Sequence, residues 1–262
     1  MSKEHKEYIK NIKIKKISIL LIQISIFIIF ITTWELLSKY NLINSFIFSS
    51  PSKIIIKLIE LYNTNNLFNH IYITTIEVLI SFILTTILSF ILALLFYLSP
   101  TIKKIFDPYL TLINSLPKVA LGPLIIIWMG ANIKSIIFNA LLIALIITTI
   151  TIYNGFYNVD NNKIKLFKMF RSNKYNLITK LIIPSSRNEI ISALKVNISM
   201  NLIGVIMGEF LSCKQGIGYL ILYGTQIFDL SLVMCGILLL LLLSFVFIIL
   251  LNLLDKKTSS MN

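Results

Sequence analysis

Residues 230–254 read LSLVMCGILLLLLLSFVFIILLNLL, an apolar stretch without a single charged side chain. About 20 such residues cover the roughly 30 Å of hydrocarbon in a bilayer, so the stretch reads as a membrane-spanning helix. Five further runs qualify: Ile17–Leu37, Ile71–Leu98, Tyr109–Met129, Ile133–Tyr153 and Ile190–Phe210. The composition of all 262 residues agrees, with 56% hydrophobic and 13% charged side chains. A soluble domain carries roughly 25% charged residues to keep its surface in water. The expected architecture is an all-α membrane protein of six transmembrane helices. A soluble enzyme, a secreted disulfide scaffold and a disordered tail are excluded.

The few charges are lopsided, 24 Lys+Arg against 11 Asp+Glu, for a formal net charge of +13. Nucleic-acid binders are basic but not this apolar, so no nucleic-acid partner is expected. Loop charge sets orientation instead. With the N-terminus in the cytoplasm, seventeen basic residues fall inside and five outside, with Lys118 and Lys195 within spans. The chain is therefore expected N-in and C-in, as a multi-pass protein of the cell membrane. The basic segment 1–16 precedes an apolar core too long for a secretory signal and lacking a small-residue cleavage site, so Ile17–Leu37 is read as a retained helix. Residues 17–254 form the transmembrane domain and 255–262 a cytoplasmic tail. Cys213 and Cys235 show no metal-ligand spacing, and no metal site is expected.

Two loops are too long to be simple connectors. In the outer 38–70 segment, Ser50 before Pro51 reads as the N-cap of a short amphipathic helix over Lys53–Tyr62. In the inner 154–189 loop, Ile164, Phe167 and Phe170 recur every third residue among Lys163, Lys165, Lys168 and Arg171. A polar turn, Arg171-Ser172-Asn173, leads to a second helix over Tyr175–Ile183 that stops at Pro184. The loop reads either as a helix pair lying on anionic lipid or as a docking platform for a cytoplasmic partner.

Within the spans, Pro117 and Pro123 break the third run, and freed backbone groups need protein or a water-lined cavity. That span is expected to wall a pathway, with Asn114, Ser115, Pro117, Lys118 and Pro123 as its candidate residues. Lys118, about a third to halfway along, fits either an attractor of anionic solute or a partner for a freed carbonyl. Glu209, at the outer end of the fifth span, fits a gate, a hydrogen bond to backbone or a side chain reaching the interface. Glu35 and Glu77 are expected to be mainly interfacial, and Lys195 to reach headgroups. Gly204 and Gly208 form a small-x-x-x-small pair that permits close helix approach, within the bundle or at a dimer interface.

The segment Asn114-Ser-Leu-Pro-Lys-Val-Ala-Leu-Gly-Pro-Leu-Ile-Ile-Ile-Trp-Met-Gly130 resembles the proline-broken segment of binding-protein-dependent ABC importer permeases. The resemblance is to the branch serving nitrate, sulfonates, taurine, and thiamine precursors or riboflavin. Ser50-Pro51-Ser52, His70, Gly155 with Val159-Asp160, Ile182-Ile183-Pro184, Gly208-Glu209-Phe210 and Gly216-Ile217-Gly218-Tyr219 follow in the same order, so the likeness runs from about residue 35 to 254. It implies the type I importer permease fold, with residues 154–189 corresponding to the coupling loop that seats on an ATP-hydrolysing subunit. The family glycine thirteen residues before the closing proline is here Arg171, and the Glu-Ala-Ala start reads Lys165-Leu166-Phe167. Glu77 stands where the family usually has arginine, and Ser81 where it has glycine.

The chain has no G-x-x-x-x-G-K-[ST] loop, H-E-x-x-H or nucleophile elbow, so neither catalysis nor a cofactor is expected on it and ATP falls to a partner subunit. The resemblance implies a permease forming a pathway for a small solute, as a homodimer with an ATPase below, a substrate-binding protein above and lipid around it. An ion-coupled secondary transporter or channel would need an inverted repeat or mid-depth carboxylates. A membrane-bound enzyme would need a catalytic constellation.

Overall fold

The computed structural model describes residues 3–64, 66–170, 172–212 and 214–259, so Arg171 of the expected coupling turn and Cys213 lie outside the described residues. The helices are α1 (Lys3–Lys39), α2 (Ser45–Phe48), α3 (Pro51–Asn63), α4 (Asn66–Leu98), α5 (Pro100–Ser115), α6 (Gly122–Met129), α7 (Ile133–Tyr157), α8 (Asn161–Met169), α9 (Lys174–Leu177), α10 (Ile183–Ser185), α11 (Arg187–Ser212), α12 (Ile217–Gln226) and α13 (Leu230–Ser259). Among the described residues five helices are long and apolar enough to cross a membrane: the apolar part of α1 from Ile17, then α4, α7, α11 and α13.

The run Tyr109–Met129 is not one straight span. It belongs to a bent pair, α5 followed by a 3-10 turn (Lys118–Leu121) and α6, which turns by 82° and makes either a broken sixth span or a re-entrant loop. Pro117 causes the break, because its ring pushes Leu116 into extended backbone (φ −65°, ψ 139°) and its missing N–H cannot continue the ladder. Pro123 does the opposite of breaking. It sits in the first turn of α6, where an N–H has no helical partner anyway. The second loop helix also differs from expectation, running past Pro184 as α9, a π-turn (Ile178–Ile182) and α10. The widened turn draws back the carbonyl that the proline ring would strike.

The end of the bundle that carries α3 and the opposite end that carries α8 are each pinned by local chemistry. At the α3 end, Ser50 caps α3 by accepting from Lys53 N (3.3 Å). Glu35 of α1 accepts from Ser52 N (3.0 Å) and Ser52 Oγ (2.8 Å), an anion placed at a helix N-terminus. Glu35 is thus a tie between α1 and α3. Asn132 and Ser135 form a reciprocal capping box that starts α7.

At the centre, α7 packs against α11 and α4. Gly204 and Gly208 of α11 face Ala140 and Ile136 of α7, and a Cβ on Gly208 would lie 3.0 Å from Ile136 Cα. Their closeness serves packing inside the chain. The shared core contains Val78, Ile136, Ala140, Val205 and Phe247. A second core at the α8 end joins Ala93, Ile152, Phe156 and Ile182, and a third at the α3 end joins Ile54, Ile217, Cys235 and Leu239.

Polar residues also line the interior. Thr74, Ser81, Thr85 and Ser89 share the buried face of α4, and Asn197 and Asn201 share that of α11. Thr85 Oγ1 donates to Asn201 Oδ1 (3.3 Å), Asn197 Nδ2 to Thr86 Oγ1 (2.8 Å), and Asn139 Nδ2 to Gly204 O (2.9 Å). Lipid and core are equally apolar, so small and hydrogen-bonding residues identify the packed face, each interhelical bond being worth about 0.6 kcal/mol. By contrast, neither α5 nor the apolar window of α1 buries a residue.

Candidate functional site

The bend between α5 and α6 carries the expected pathway residues. Lys118 opens the 3-10 turn and is half-buried. Its Nζ donates to Asn114 Oδ1 (3.2 Å) and to Ile143 O of α7 (3.3 Å). The carbonyl it meets is therefore not one freed by Pro117 on its own segment. No carboxylate among the described residues pairs with it, and in its ammonium form it has one hydrogen beyond those two bonds. Asn114, Ser115, Pro117 and Pro123 lie exposed around it, with Ser115 Oγ returned to Leu112 O (2.8 Å).

At the α8 end, Asp160 caps α8 by accepting from Asn162 N (2.8 Å). The threefold repeat of the loop divides in the structure. Ile164 packs on the Phe156–Ile182 core and Phe167 is half-buried, whereas Phe170, at the helix C-cap, is 77% exposed. The outward apolar face consists instead of Leu166, Met169, Phe170 and Tyr175, with Met169 80% exposed. The threefold spacing misassigns this face because an α-helix repeats every 3.6 residues, which carries Leu166 and Met169 to the open side. Ser172 Oγ donates to Phe167 O (2.9 Å), closing the turn, and Asn173 is exposed at the start of α9.

At the α3 end, Glu209 is 0% exposed. Its carboxylate accepts from Thr74 Oγ1 (2.6 Å) and from the backbone N–H groups of Gly218 (2.5 Å) and Tyr219, at the N-terminus of α12. Thr74 Oγ1 in turn accepts from Ile217 N (2.8 Å), and His70 Nδ1 from Gly216 N (2.9 Å). Gly216 has φ 109°, and a Cβ on it would run into the Glu209 carboxylate. A chain reversal, a helix start and an anion therefore fit together only with glycine there. Glu209 does not snorkel: it is a structural acceptor. Glu77, expected near the interface, is likewise buried, at 1% exposure.

Outside the spans, Lys57 of α3 pairs with Asp229, ahead of α13, at 2.8 Å and with Glu60 at 2.9 Å. The hydrogen bond to Asp229, then that to Glu60, raises the Lys57 ammonium above its ordinary value. For Asp229, partial burial acts upward, but the Lys57 bond and the Leu232 N–H outweigh it and hold the carboxyl below its usual range.

The sequence reading missed the buried polar system of Thr74, Glu77, Asn139, Asn197 and Asn201. The signal was present, since Thr74, Ser81, Thr85 and Ser89 recur at helical spacing in a run otherwise of large apolar residues. Groups of three or more His, Cys, Asp or Glu arranged to hold a metal are absent among the described residues.

Comparison with known proteins places this architecture. A family model described as the binding-protein-dependent transport system inner membrane component matches residues 85–260. A probable ABC transporter permease protein of Haemophilus influenzae is 26% identical over 79% of this chain and 84% of its own length. The formylaminopyrimidine transport permease protein ThiX of Halalkalibacterium halodurans is 25% identical over 74% of this chain and 76% of its own. A putative aliphatic sulfonates transport permease protein, SsuC, of Bacillus subtilis is 23% identical over 80% and 76%. The broken span, the glycine-tight α7–α11 pair and the exposed loop at the α8 end thus belong to a multi-pass membrane permease subunit of an ABC importer, and the chain is a member of the binding-protein-dependent transport system inner membrane component family.

Proposed function

We propose that the chain forms half of a homodimeric pathway for a small solute, driven by a cytoplasmic ATPase docked on residues 154–189. The carrying observation is the apolar face of Leu166, Met169, Phe170 and Tyr175, exposed at the tip of a capped helical loop. Groove-seated helices bury such faces. Ser172 and Asn173 belong to the turn of the docking element, and Ile164 and Phe167 anchor it to the bundle. The excess of basic residues at this end supports an N-in, C-in orientation, with segment 1–16 and tail 255–262 beside the headgroups of the inner leaflet. The α3 end then faces a substrate-binding protein. The unpacked α5, together with Ile127 and Trp128 exposed on α6, supports a second copy across the bend.

Lys118 gives the pathway a cation with a spare hydrogen, which fits a small anion. Sulfonates, a formylaminopyrimidine, taurine and riboflavin are named for relatives, and this chain's solute belongs to that range. The test is co-purification with the ATPase together with uptake in cells. Replacing Met169 and Phe170 by serine is expected to abolish both while the permease stays in the membrane. Undiminished association and uptake would overturn the docking reading.

A further inference from the structure

Glu77 of α4 and Glu209 of α11 lie far apart in the chain, but Glu77 follows Thr74, the donor to Glu209, by one helical turn, and the two carboxyl groups come within hydrogen-bonding reach of each other. Both are sealed from solvent. Two ionised carboxylates cannot hydrogen-bond, and two like charges in contact at low dielectric repel strongly. One hydrogen must therefore sit between them. The other groups around the pair show on which side. Every remaining partner of Glu209 is a donor: Thr74 Oγ1, Gly218 N and Tyr219 N. A carboxylate satisfies such a set because it only accepts. Glu77 receives no such donor, and its Oε2 is buried without any hydrogen-bond partner. An ionised Glu77 would leave a charge unsatisfied there, whereas a protonated one leaves only a weak acceptor.

We infer that Glu77 and Glu209 form a proton-binding site inside the bundle, with Glu77 protonated and donating to the Glu209 carboxylate. The proton adds a link from α4 through Glu209 to the start of α12, beside the direct ones from Thr74 and His70. Few other titratable groups stand near it. On α4, His70 accepts from Gly216 N through Nδ1 and is unprotonated at that nitrogen. On α12, the Tyr219 ring stacks on His70 at 6.0 Å. Lys134 at the start of α7 and Lys214 between α11 and α12 are exposed, and Lys57 of α3 is committed to Asp229 and Glu60.

The test uses the full chain in lipid nanodiscs, read by infrared spectroscopy and by thermal unfolding at several pH values. A protonated-carboxyl stretch is expected at neutral pH, shifted in heavy water and lost in Glu77→Gln. That variant keeps the shape and can still donate to Glu209, so it is expected to fold. The folded chain holds a proton that the unfolded chain releases at neutral pH, so the wild-type melting temperature falls as pH rises. Glu77→Gln is expected to lose most of that fall. Absence of the band in the wild type, or its persistence undiminished in Glu77→Gln, would overturn the site. So would a melting temperature that depends on sodium or potassium in a wild type lacking the band, since a metal cation would then hold the pair.

Discussion

The two ends of the bundle solve opposite problems. At the α3 end, a carboxylate, a threonine, a histidine and four consecutive backbone N–H groups close on one another, with Glu209 fully buried among them. At the α8 end, Met169 and Phe170 stand almost fully in the open at the tip of a capped loop. The first region is polar and finished within the chain. The second is apolar and unfinished. Polar groups at depth must be satisfied internally because hydrocarbon supplies no partner. An apolar tip outside the membrane is retained when another surface covers it. The difference separates what the chain stabilises alone from what it leaves for a partner.

Substitutions can break this contrast or sharpen it. Glu209→Leu strips the acceptor from the α12 N-terminus and from Thr74, and is expected to cost about 3 kcal/mol or more, because buried donors are left unpaired. Unfolding of the solubilised chain measures it, and a loss comparable to that of a surface change would erase the contrast. Lys57→Met, on the same end but partly exposed, is expected to cost at most about 1 kcal/mol. Its pH signature follows from the Asp229 carboxyl, which is held below its usual range. The pair's contribution is present above the ordinary aspartate range and is lost as pH falls through the lower folded value. Wild type and Lys57→Met are therefore expected to converge in stability under acid. Met169→Ser is expected to change stability by no more than about 0.5 kcal/mol, as surface changes do, so that any loss of transport in it reports on docking alone.

Much of the framework was legible from the residues themselves. Pro117 announced the break and Ser50-Pro51 the start of α3, because a missing N–H and a capping hydroxyl act on their immediate neighbours. The readings that went astray concern direction. The repeat of Ile164, Phe167 and Phe170 was assigned to one face, but the bundle takes up Ile164 and half-buries Phe167, leaving Leu166 and Met169 outward. Glu77 is expected at the interface because it lies near the outer end of its span. It is instead sealed inside the bundle beside Glu209. In a membrane helix the apolar pattern does not separate inside from outside, since lipid and core are equally apolar.

The sequence by itself determined that the chain crosses a membrane, about how many times, and where one crossing is broken. Each of these depends on local properties: the length of an apolar run against the thickness of hydrocarbon, and proline against the helical ladder. The tertiary structure alone decided which faces meet and which acids find each other. Gly204 lies on Ala140, Lys118 reaches Ile143 O, and Glu77 touches Glu209, all pairings between distant segments. Such pairings depend on how each helix is rotated about its axis. That rotation is fixed by close packing and by the need to satisfy nearly all the buried polar groups at once.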